Sequence, residues 1–240
     1  MKIAILTTDT LHHKYFTSQI CLATDEVLCI LENNILKPKF DTKIKFEGKR
    51  EIFEKKKWFK NKNFNLKQID NLKVLNVKNA DNQRSINFLK KKNIDMIILF
   101  GVKKISKLFL NKFKGKVFNL HGGDLRKYRG LDSHYWSIYH NDFKSLFVTL
   151  HTAEVKLDTG KIVSQKKINL TKTDKIYQLR YKNTNICVSL VKSLIKKLNL
   201  KKKNIFNTPN SYGRYYSFMP KQLKVIVEKN FNKNQKRLND

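Results

Sequence analysis

Residues 95–101 read Asp-Met-Ile-Ile-Leu-Phe-Gly, an unbroken apolar run between an acidic residue and a glycine. A short, continuous apolar run that ends in glycine is typical of a strand buried on both faces. Strands of that kind belong to parallel sheets covered by helices on each side. The stretch therefore predicts a central strand of a parallel sheet.

The segments before this strand alternate between strand-like and helical patterns. Further strands are predicted at 2–7, 27–31 and 74–77, and helices at 14–23 and 81–92. Such alternation favours an α/β fold with a doubly wound, mostly parallel sheet of the Rossmann-like kind. Ligands of these folds gather at the carboxyl ends of the strands.

The later part of the chain predicts one long helix and an appendage. Apolar residues at helical spacing predict a helix over 173–202, and this stripe fits either the core or a dimer surface. We divide the chain into a catalytic domain, 1–203, and a short helical and aromatic appendage, 204–240. Its aromatic stretch, 212–220, is expected to pack back on the body near a ligand pocket, and residues 230–240 to be disordered.

Residues 36–70 are rich in Lys and Phe without a clear period. They predict a charged helix or an excursion beside the sheet, with Trp58 as a packing residue. The role of this segment stays open at this point.

Composition narrows the class of protein. The 240 residues suit one α/β domain with an appendage. The chain has no apolar run of about 18 residues, and it starts directly with a strand, so we expect a cytoplasmic protein without a membrane span. Cys21, Cys29 and Cys187 match no disulfide or metal spacing and predict buried free thiols. The histidines match no metal spacing either, so we expect no metal.

The formal net charge of +32 favours anionic partners. Lys is nevertheless spread along the whole chain together with abundant Asn and Ile, as an AT-rich genome would produce. We therefore favour a compositional origin of the charge. A basic nucleic-acid-binding protein stays an alternative.

The chemistry is predicted to lie on the next strand, where Asn119 and His121 follow an apolar start at 116–118. Residues two apart on a strand project from the same face. An Asn amide can stabilise an oxyanion, and a His can move protons near neutral pH. A carboxylate such as Asp158 would orient the imidazole or hold a relaying water. These three groups favour the transfer of an acyl group between amines.

Glycines support a ligand site in the same region. Six of the 8 glycines fall between residues 101 and 160. In a chain with so few glycines, they tend to mark positive φ angles or close approach of the backbone to a ligand.

Two segments, 118–130 and 148–160, resemble the folate-dependent formyltransferases. The resemblance implies a formyl group donated by 10-formyltetrahydrofolate, with Asn119, His121 and Asp158 at the family's catalytic positions. It also implies contacts between the pterin and the end of the preceding strand and a later loop. The candidate folate-binding residues are Leu99, Phe100, Gly101, Val102, Glu154 and Val155.

The amine acceptor has its own candidates. His12 and His13 lie in the predicted loop after the first strand, and His134 starts a predicted helix with Asp132 or Ser133 as its N-cap. The loop after His121 adds further candidates, Gly122, Gly123 and Arg129. This loop departs from the family, because Arg126 stands where a Pro is usual and Gly122-Gly123 where a Pro and a small residue are common.

The resemblance narrows the acceptor. Methionyl-tRNA formyltransferases carry an additional β-barrel for tRNA, and only a short segment follows the long helix here, so tRNA is disfavoured. A glycinamide ribonucleotide enzyme is expected to have a Gly-rich turn after the first strand, and 7–11 contains no glycine. We therefore expect a small-molecule amine, most simply a nucleotide-linked amino sugar.

Other functions are also compatible with the sequence. A formyltetrahydrofolate hydrolase of the same fold would use water in place of the amine, and a basic nucleic-acid-binding protein could use a degenerate scaffold. A homodimer is compatible with the sequence as well.

Overall fold

The computed structural model describes residues 1–34, 36–200 and 206–238. The strands are β1 Lys2–Thr7, β2 Glu26–Glu32, β3 Leu72–Val77, β4 Met96–Leu99, β5 Val117–His121, β6 Tyr128–Gly130, β7 Phe147–Thr152, β8 Ile162–Lys167 and β9 Arg214–Tyr216. The α-helices are α1 Leu11–Cys21, α2 Lys45–Phe59, α3 Gln83–Lys90, α4 Lys107–Lys112, α5 Ser133–Tyr139, α6 Leu179–Asn199 and α7 Lys221–Arg237. Short 3₁₀ turns occupy Leu66–Gln68, Phe143–Ser145 and Ile176–Gln178.

Seven of the described strands form one twisted sheet in the order β3-β2-β1-β4-β5-β7-β8. The first five pair in parallel, and β7 and β8 add an antiparallel edge. The strand order reverses between β1 and β4, which is where such sheets open a crevice for ligands. The predicted α/β fold with a doubly wound, mostly parallel sheet is confirmed.

The core lies on both faces of the sheet. The central segments Ile3–Leu6 and Met96–Ile98 are completely buried, as their apolar runs predict. One face is covered by α1 and α6, and the other by α3 and α4. The apolar stripe of α6 therefore belongs to the core, because Val191, Leu194 and Ile195 are buried against the sheet side of the molecule.

The prediction of a disordered tail over 230–240 is wrong for the residues that the structure describes. These residues continue α7, which packs on α5 and buries Val227 and Phe231 completely. The amide of Asn230 donates to the carbonyl groups of Ile138 and Tyr139. Tertiary burial thus stabilises a segment that is strongly polar in sequence.

Other predicted bounds shift by a few residues. The long helix begins at Leu179, after a 3₁₀ turn, instead of at 173. Its predicted end at 202, the proposed domain boundary at 203/204 and residues 239–240 lie outside the described residues.

The excursion at 36–70 contains α2 and packs against the body. The ring of Trp58 stacks between Tyr15 and Tyr181, with centroid distances of 4.6 Å and 5.4 Å. This confirms Trp58 as a packing residue. The three cysteines are buried free thiols, as predicted.

Within 1–34, 36–200 and 206–238, no helix has both the length and the apolar content needed to cross a bilayer.

Candidate active site

Asn119 and His121 project from the last part of β5 into a cavity at the carboxyl edge of the sheet. Their position follows from strand geometry, since residues two apart share a face. Asn119 lies beside Leu99 of β4 on one side and opposite His151 of β7 on the other. The apolar start of β5 therefore anchors two polar side chains at the mouth of the crevice.

Asp158 reaches the same cavity from the loop after β7. Its backbone is in the left-handed region, with φ of 53°, which Asp tolerates better than most residues. The carboxylate accepts hydrogen bonds from Asn119 Nδ2 at 3.2 Å and from the Gly130 amide at 2.8 Å. It also lies 3.5 Å from Nδ1 of His121. The structure thus brings together the three predicted catalytic side chains.

The imidazole of His121 is oriented by the backbone. Its Nε2 lies 2.8 Å from the carbonyl oxygen of Tyr128. A carbonyl can only accept, so Nε2 carries the hydrogen in the neutral ring. Nδ1, which faces Asp158, is therefore the nitrogen that can take up a proton.

The charge on Asp158 is stabilised by its surroundings. Burial opposes ionisation, but the neighbouring imidazole of His121 and the hydrogen bond from the Gly130 amide outweigh it. The pKa of the Asp158 carboxyl consequently lies below its ordinary value. Asp158 is an anion at neutral pH and can stabilise a protonated His121.

His151 is a member of this cluster that the sequence interpretation missed. Its Nδ1 donates to the Thr152 carbonyl at 2.8 Å, which leaves Nε2 to accept from Asn119 Nδ2 at 3.1 Å. The side-chain amide of Asn119 thus donates to both His151 and Asp158. The available signal was the strand-like segment 148–151, which forms part of β7. On this strand Thr149 and His151 share a face, and they pair with His121 and Asn119 of β5.

We call the cavity lined by Asn119, His121 and Asp158 the first cavity. It extends along the end of β4. Four of the predicted folate-binding residues line it, namely Leu99, Gly101, Val102 and Glu154. Lys103, Lys104, His151 and Leu157 also line it.

The side chains of two predicted folate-binding residues point away from the first cavity, and their predicted folate contacts stay predictions. The ring of Phe100 lies on the other side of the strand, 4.6 Å from the His13 ring, because successive residues of an extended chain alternate. Val155 lies outside the first cavity and is 41% exposed, since the loop turns its side chain to solvent.

A second cavity lies next to the first and shares Gly101, Gly130 and Leu131 with it. The predicted acceptor residues His12, His13, Gly122 and His134 line this second cavity. Arg50, Glu47, Asp132, Arg180, Asn183 and Lys224 also line it. The sequence interpretation had singled out none of these as ligand residues.

His12 and His13 lie in the first turn of α1 instead of in a loop. The Nδ1 of His13 lies 2.6 Å from Thr8 Oγ1, and its ring fills the space beside Gly101, where a Cβ would collide with it. Burial lowers the pKa of His13 to about 3, and burial also lowers the pKa of His12 well below its usual value. Both rings are neutral at pH 7, so they are not cationic phosphate ligands.

His134 is held by the backbone, because its Nε2 donates to the Phe147 carbonyl at 2.7 Å. Burial lowers its pKa to about 4, so this ring is neutral as well. Asp132 occupies the N-cap of α5 as predicted, with φ of 51°, but its carboxylate accepts from the Met219 amide instead of capping the helix.

Gly123 and Arg129 contact other protein groups near the site, and their predicted substrate contacts stay predictions. A Cβ at Gly123 would come within 2.6 Å of His121 Nε2, so glycine lets the imidazole lie flat against the loop. The buried guanidinium of Arg129 lies outside both cavities and donates to the carbonyl groups of Gly213 and Leu157. It thereby ties the Asp158 loop to β9.

Arg126 stabilises the loop after His121 through hydrogen bonds to Asp124. Its backbone amide and its guanidinium both donate to the buried carboxylate of Asp124, and the guanidinium also reaches Gln165. These bonds hold the turn at the position where a Pro was expected. β6 follows immediately and pairs in parallel with β9.

Comparison with known proteins agrees with this geometry. A family model described as Formyl transferase matches residues 1–189, well over half of the chain. The bifunctional polymyxin resistance protein ArnA of Wigglesworthia glossinidia brevipalpis is 34% identical over 146 residues, which cover 60% of this chain and 22% of that protein. A methionyl-tRNA formyltransferase of Borrelia garinii subsp. bavariensis is 28% identical over 158 residues, covering 65% and 49%. The chain thus matches between about a fifth and a half of these relatives' length.

Solved structures share the fold. An N-formyltransferase from Helicobacter canadensis, in complex with folinic acid and dTDP-3-aminofucose, superposes with a TM-score of 0.59 at 22% identity, covering 90% of this chain and 71% of that one. Phosphoribosylglycinamide formyltransferase from Bacillus halodurans gives a TM-score of 0.57 at 21% identity, covering 86% and 99%.

Proposed function

This chain belongs to the formyl transferase family, and on that premise we propose that it transfers the formyl group of 10-formyltetrahydrofolate to a primary amine on a nucleotide-linked amino sugar. The observation that carries the transfer is the cluster of Asn119, His121 and Asp158 within hydrogen-bonding reach at one cavity. The second cavity supplies a separate chamber for the amine.

The two cavities define where the reactants meet. The folate is proposed to lie in the first cavity against Gly101 and Val102, and the amine in the second. Gly101, Gly130 and Leu131 line both cavities as their shared wall, and two of these three residues have no side chain. The formyl carbon and the attacking nitrogen would therefore meet beside His121.

The side chains account for each change in the reaction. The amine nitrogen attacks the formyl carbon, whose oxygen becomes an oxyanion, and the bond from that carbon to N10 of the folate then breaks. Nδ1 of His121 takes the proton that the amine loses and returns it to N10. The charge of Asp158 stabilises the protonated imidazole between these two transfers.

Asn119 is the proposed donor to the oxyanion. Its Nδ2 is engaged by Asp158 and His151 without a ligand, so one of these two bonds must be exchanged for a bond to the oxyanion. The exchange is easiest at His151, because the Asp158 carboxylate is the stronger acceptor. His151 then acts as a positioning residue that keeps the amide aligned before the reaction.

Two features support a small acceptor. The second cavity has a volume of about 460 Å³, which lies within the ~300–1,000 Å³ typical of small-molecule sites. Among proteins with this fold, the one from Helicobacter canadensis is described with dTDP-3-aminofucose. Methionyl-tRNA is the main alternative acceptor, because relatives with that function also match the chain. The predicted cytoplasmic location is part of the same proposal.

The decisive experiment measures tetrahydrofolate release from 10-formyltetrahydrofolate by the purified protein. The amine panel contains nucleotide-linked 3-amino and 4-amino deoxysugars, methionyl-tRNA and glycinamide ribonucleotide, with His121→Ala as the negative control. Release that depends on an amino sugar supports the proposal. Release without any amine would identify a hydrolase, release with tRNA only would replace the acceptor, and no release with any of them would overturn the transferase assignment.

A further inference from the structure

The second cavity contains two arginines that the reaction above does not use. Arg50 comes from α2 and Arg180 from α6, and both line the cavity next to His12. Both guanidinium charges act on His12 strongly enough to help to lower the pKa of that ring. Both guanidinium groups therefore lie close to the same part of the second cavity, near His12.

Arg180 is fixed from behind by a buried carboxylate. Its Nε donates to Glu54 Oε1 at 2.8 Å, and its Nη2 forms an ion pair with Glu54 Oε2 at 2.5 Å. Glu54 is fully buried. This two-point contact sets the plane of the guanidinium, and Nη1 makes no hydrogen bond to the described residues.

Arg50 lies on α2, the same helix that carries Glu54, the partner of Arg180. Arg50 and Glu54 are four residues apart on α2, so they share one face of that helix. Nη1 of Arg50 donates to Glu47 at 3.2 Å and to the Tyr135 hydroxyl at 3.1 Å. The side chain is only 13% exposed, which keeps it in position.

Two of the six unpaired buried polar atoms of the described residues belong to this cavity. Nε of Arg50 and Oδ1 of Asn183 are buried and have no hydrogen-bond partner among the described residues. Buried polar atoms of folded proteins are nearly always paired, so each exception needs an explanation. Both residues line the second cavity, one with an unused donor and the other with an unused acceptor.

The other charged groups of the cavity are largely engaged with the protein. Nζ of Lys224 donates to the Thr42 carbonyl and to Glu47, which uses two of its three donors. Asp132 accepts from Met219, and the three histidines are neutral. The arginines thus carry most of the donors that remain for a ligand among the described residues.

We propose that Arg50 and Arg180 form an anion clamp that binds a phosphate group of the acceptor, with Asn183 accepting from a hydroxyl or amino group of the same molecule. The clamp rests on the proposed function, because that proposal places the acceptor in the second cavity. It would select amines that carry a phosphate or diphosphate. Two planar guanidinium groups match the oxygens of such a group better than single ammonium groups do. The clamp would hold the acceptor at one end and leave the amine free to reach the shared wall.

Calorimetric binding of inorganic pyrophosphate and of inorganic phosphate tests the clamp without requiring turnover. Arg50→Gln should weaken pyrophosphate binding about tenfold or more, in line with the loss of a charge-assisted hydrogen bond. Arg84→Gln is the matched control, because it removes the same charge from an exposed arginine of α3 outside both cavities. Stronger binding of pyrophosphate than of phosphate would point to a diphosphate-linked acceptor, and the reverse order to a monophosphate.

A second variant protects the test against misfolding. Arg180→Lys keeps a positive charge opposite buried Glu54, and circular dichroism melting reports whether each variant is folded. Arg180→Lys should weaken pyrophosphate binding several-fold, and its effect should not add independently to that of Arg50→Gln, because both contact one anion.

The possible outcomes separate the two proposals. Equal pyrophosphate affinity in Arg50→Gln and Arg84→Gln, or no binding by the wild-type protein, would overturn the clamp even if formyl transfer occurs. Arginine-dependent binding without any tetrahydrofolate release would support the clamp and reject the transferase assignment. Formyl transfer at equal rates to amines with and without phosphate would also overturn the clamp.

Discussion

The first and second cavities share a wall but differ in how their polar groups are paired. In the first cavity, the Asn119 amide donates to both His151 and Asp158, and His121 lies 3.5 Å from the Asp158 carboxylate. In the second, Arg50 and Asn183 keep buried atoms without partners among the described residues. Mutual pairing preorganises groups for chemistry, whereas unused donors and acceptors provide capacity for a ligand.

This difference explains the division of labour that we propose. A reaction centre must hold its groups in place before the substrate arrives, and the Asp158 carboxylate does this with three neighbours. A ligand-binding cavity gains affinity when polar groups that lack a protein partner form contacts with the ligand. Substitutions in the cluster of Asn119, His121 and Asp158 should therefore change turnover, and substitutions of Arg50 and Arg180 should change acceptor binding.

The strongest test of the comparison is His121→Ala. We expect turnover to fall by about 10²–10⁴-fold, because the variant lacks the group that moves the proton, while folate affinity changes little. Tetrahydrofolate release and equilibrium binding of 5-formyltetrahydrofolate measure the two effects. His140→Ala, an exposed histidine, is the control, and full turnover in His121→Ala would remove His121 from the mechanism.

Asn119→Ala should lower turnover by about 10²-fold, as expected for the loss of one oxyanion donor. The variant also frees His151 and Asp158 from their shared partner. Single-turnover kinetics separates the chemical step from binding, with the exposed Asn87→Ala as control. A decrease of less than about threefold would assign oxyanion stabilisation to backbone groups.

Gly101→Ala should damage both cavities together, because Gly101 belongs to their shared wall. Its φ of +77° disfavours a side chain, and a Cβ would collide with the His13 ring. We expect the free energy of unfolding to fall by about 1–3 kcal/mol in urea titrations.

Gly48→Ala is the matched control, because a Cβ there meets nothing within 4 Å and the helix should gain about 0.5–1 kcal/mol. Equal stability of Gly101→Ala and the wild-type protein would mean that the shared wall adjusts freely.

Lowering the pH should destabilise the folded protein through the buried neutral histidines of the second cavity. The pKa of His134 is lowered to about 4, whereas the unfolded residue titrates near 6.5. Between these values the unfolded state binds the extra proton, so stability falls as the pH falls, by about 1.4 kcal/mol per pH unit for each such group at most. His134→Gln keeps a donor for Phe147 and should show a shallower loss between pH 6 and 4.5.

Urea titrations across this pH range, with His140→Gln as control, check the slope. A slope in His134→Gln that equals the wild-type slope would show that folding does not lower the pKa of His134.

The smallest effect is expected at Val155→Ala. Its side chain is exposed and lies outside the first cavity, so stability should change by less than about 0.5 kcal/mol. Affinity for 5-formyltetrahydrofolate should stay within about twofold. Leu157→Ala, at a residue that lines the cavity, is the comparison that should weaken binding, and a larger loss in Val155→Ala would restore Val155 as a folate contact.

The accuracy of the sequence-based predictions followed the range of the interactions involved. The buried strand at 95–101 and the pair Asn119 and His121 depend on local alternation and apolar content, so their placement was predictable. The polar helix α7 was not, because its stability comes from Val227 and Phe231 packing on a distant part of the chain. The direction of the Phe100 ring was not predictable either, because a backbone contact at the end of a strand does not fix where the side chain points.

The candidate site shows the same limit. Asp158 was inferred because the chemistry requires a carboxylate and the family resemblance points to that position. His151 could not be selected from chemistry alone, as its contact with Asn119 arises from antiparallel pairing across 32 residues of sequence. Arg50 and Arg180 lie farther apart still, and nothing local marks either one as a ligand.

The sequence by itself determined the doubly wound sheet, the strand that carries Asn119 and His121, and the resemblance to formyltransferases, because these depend on residue type, spacing and short motifs. The tertiary structure alone decided the partners of those residues: the left-handed turn that delivers Asp158, the histidine opposite Asn119, and the two arginines in the second cavity. The physical reason is that hydrogen bonds and ion pairs act over a few ångströms in space, whereas the chain brings their members together only after its apolar strands and helices have packed.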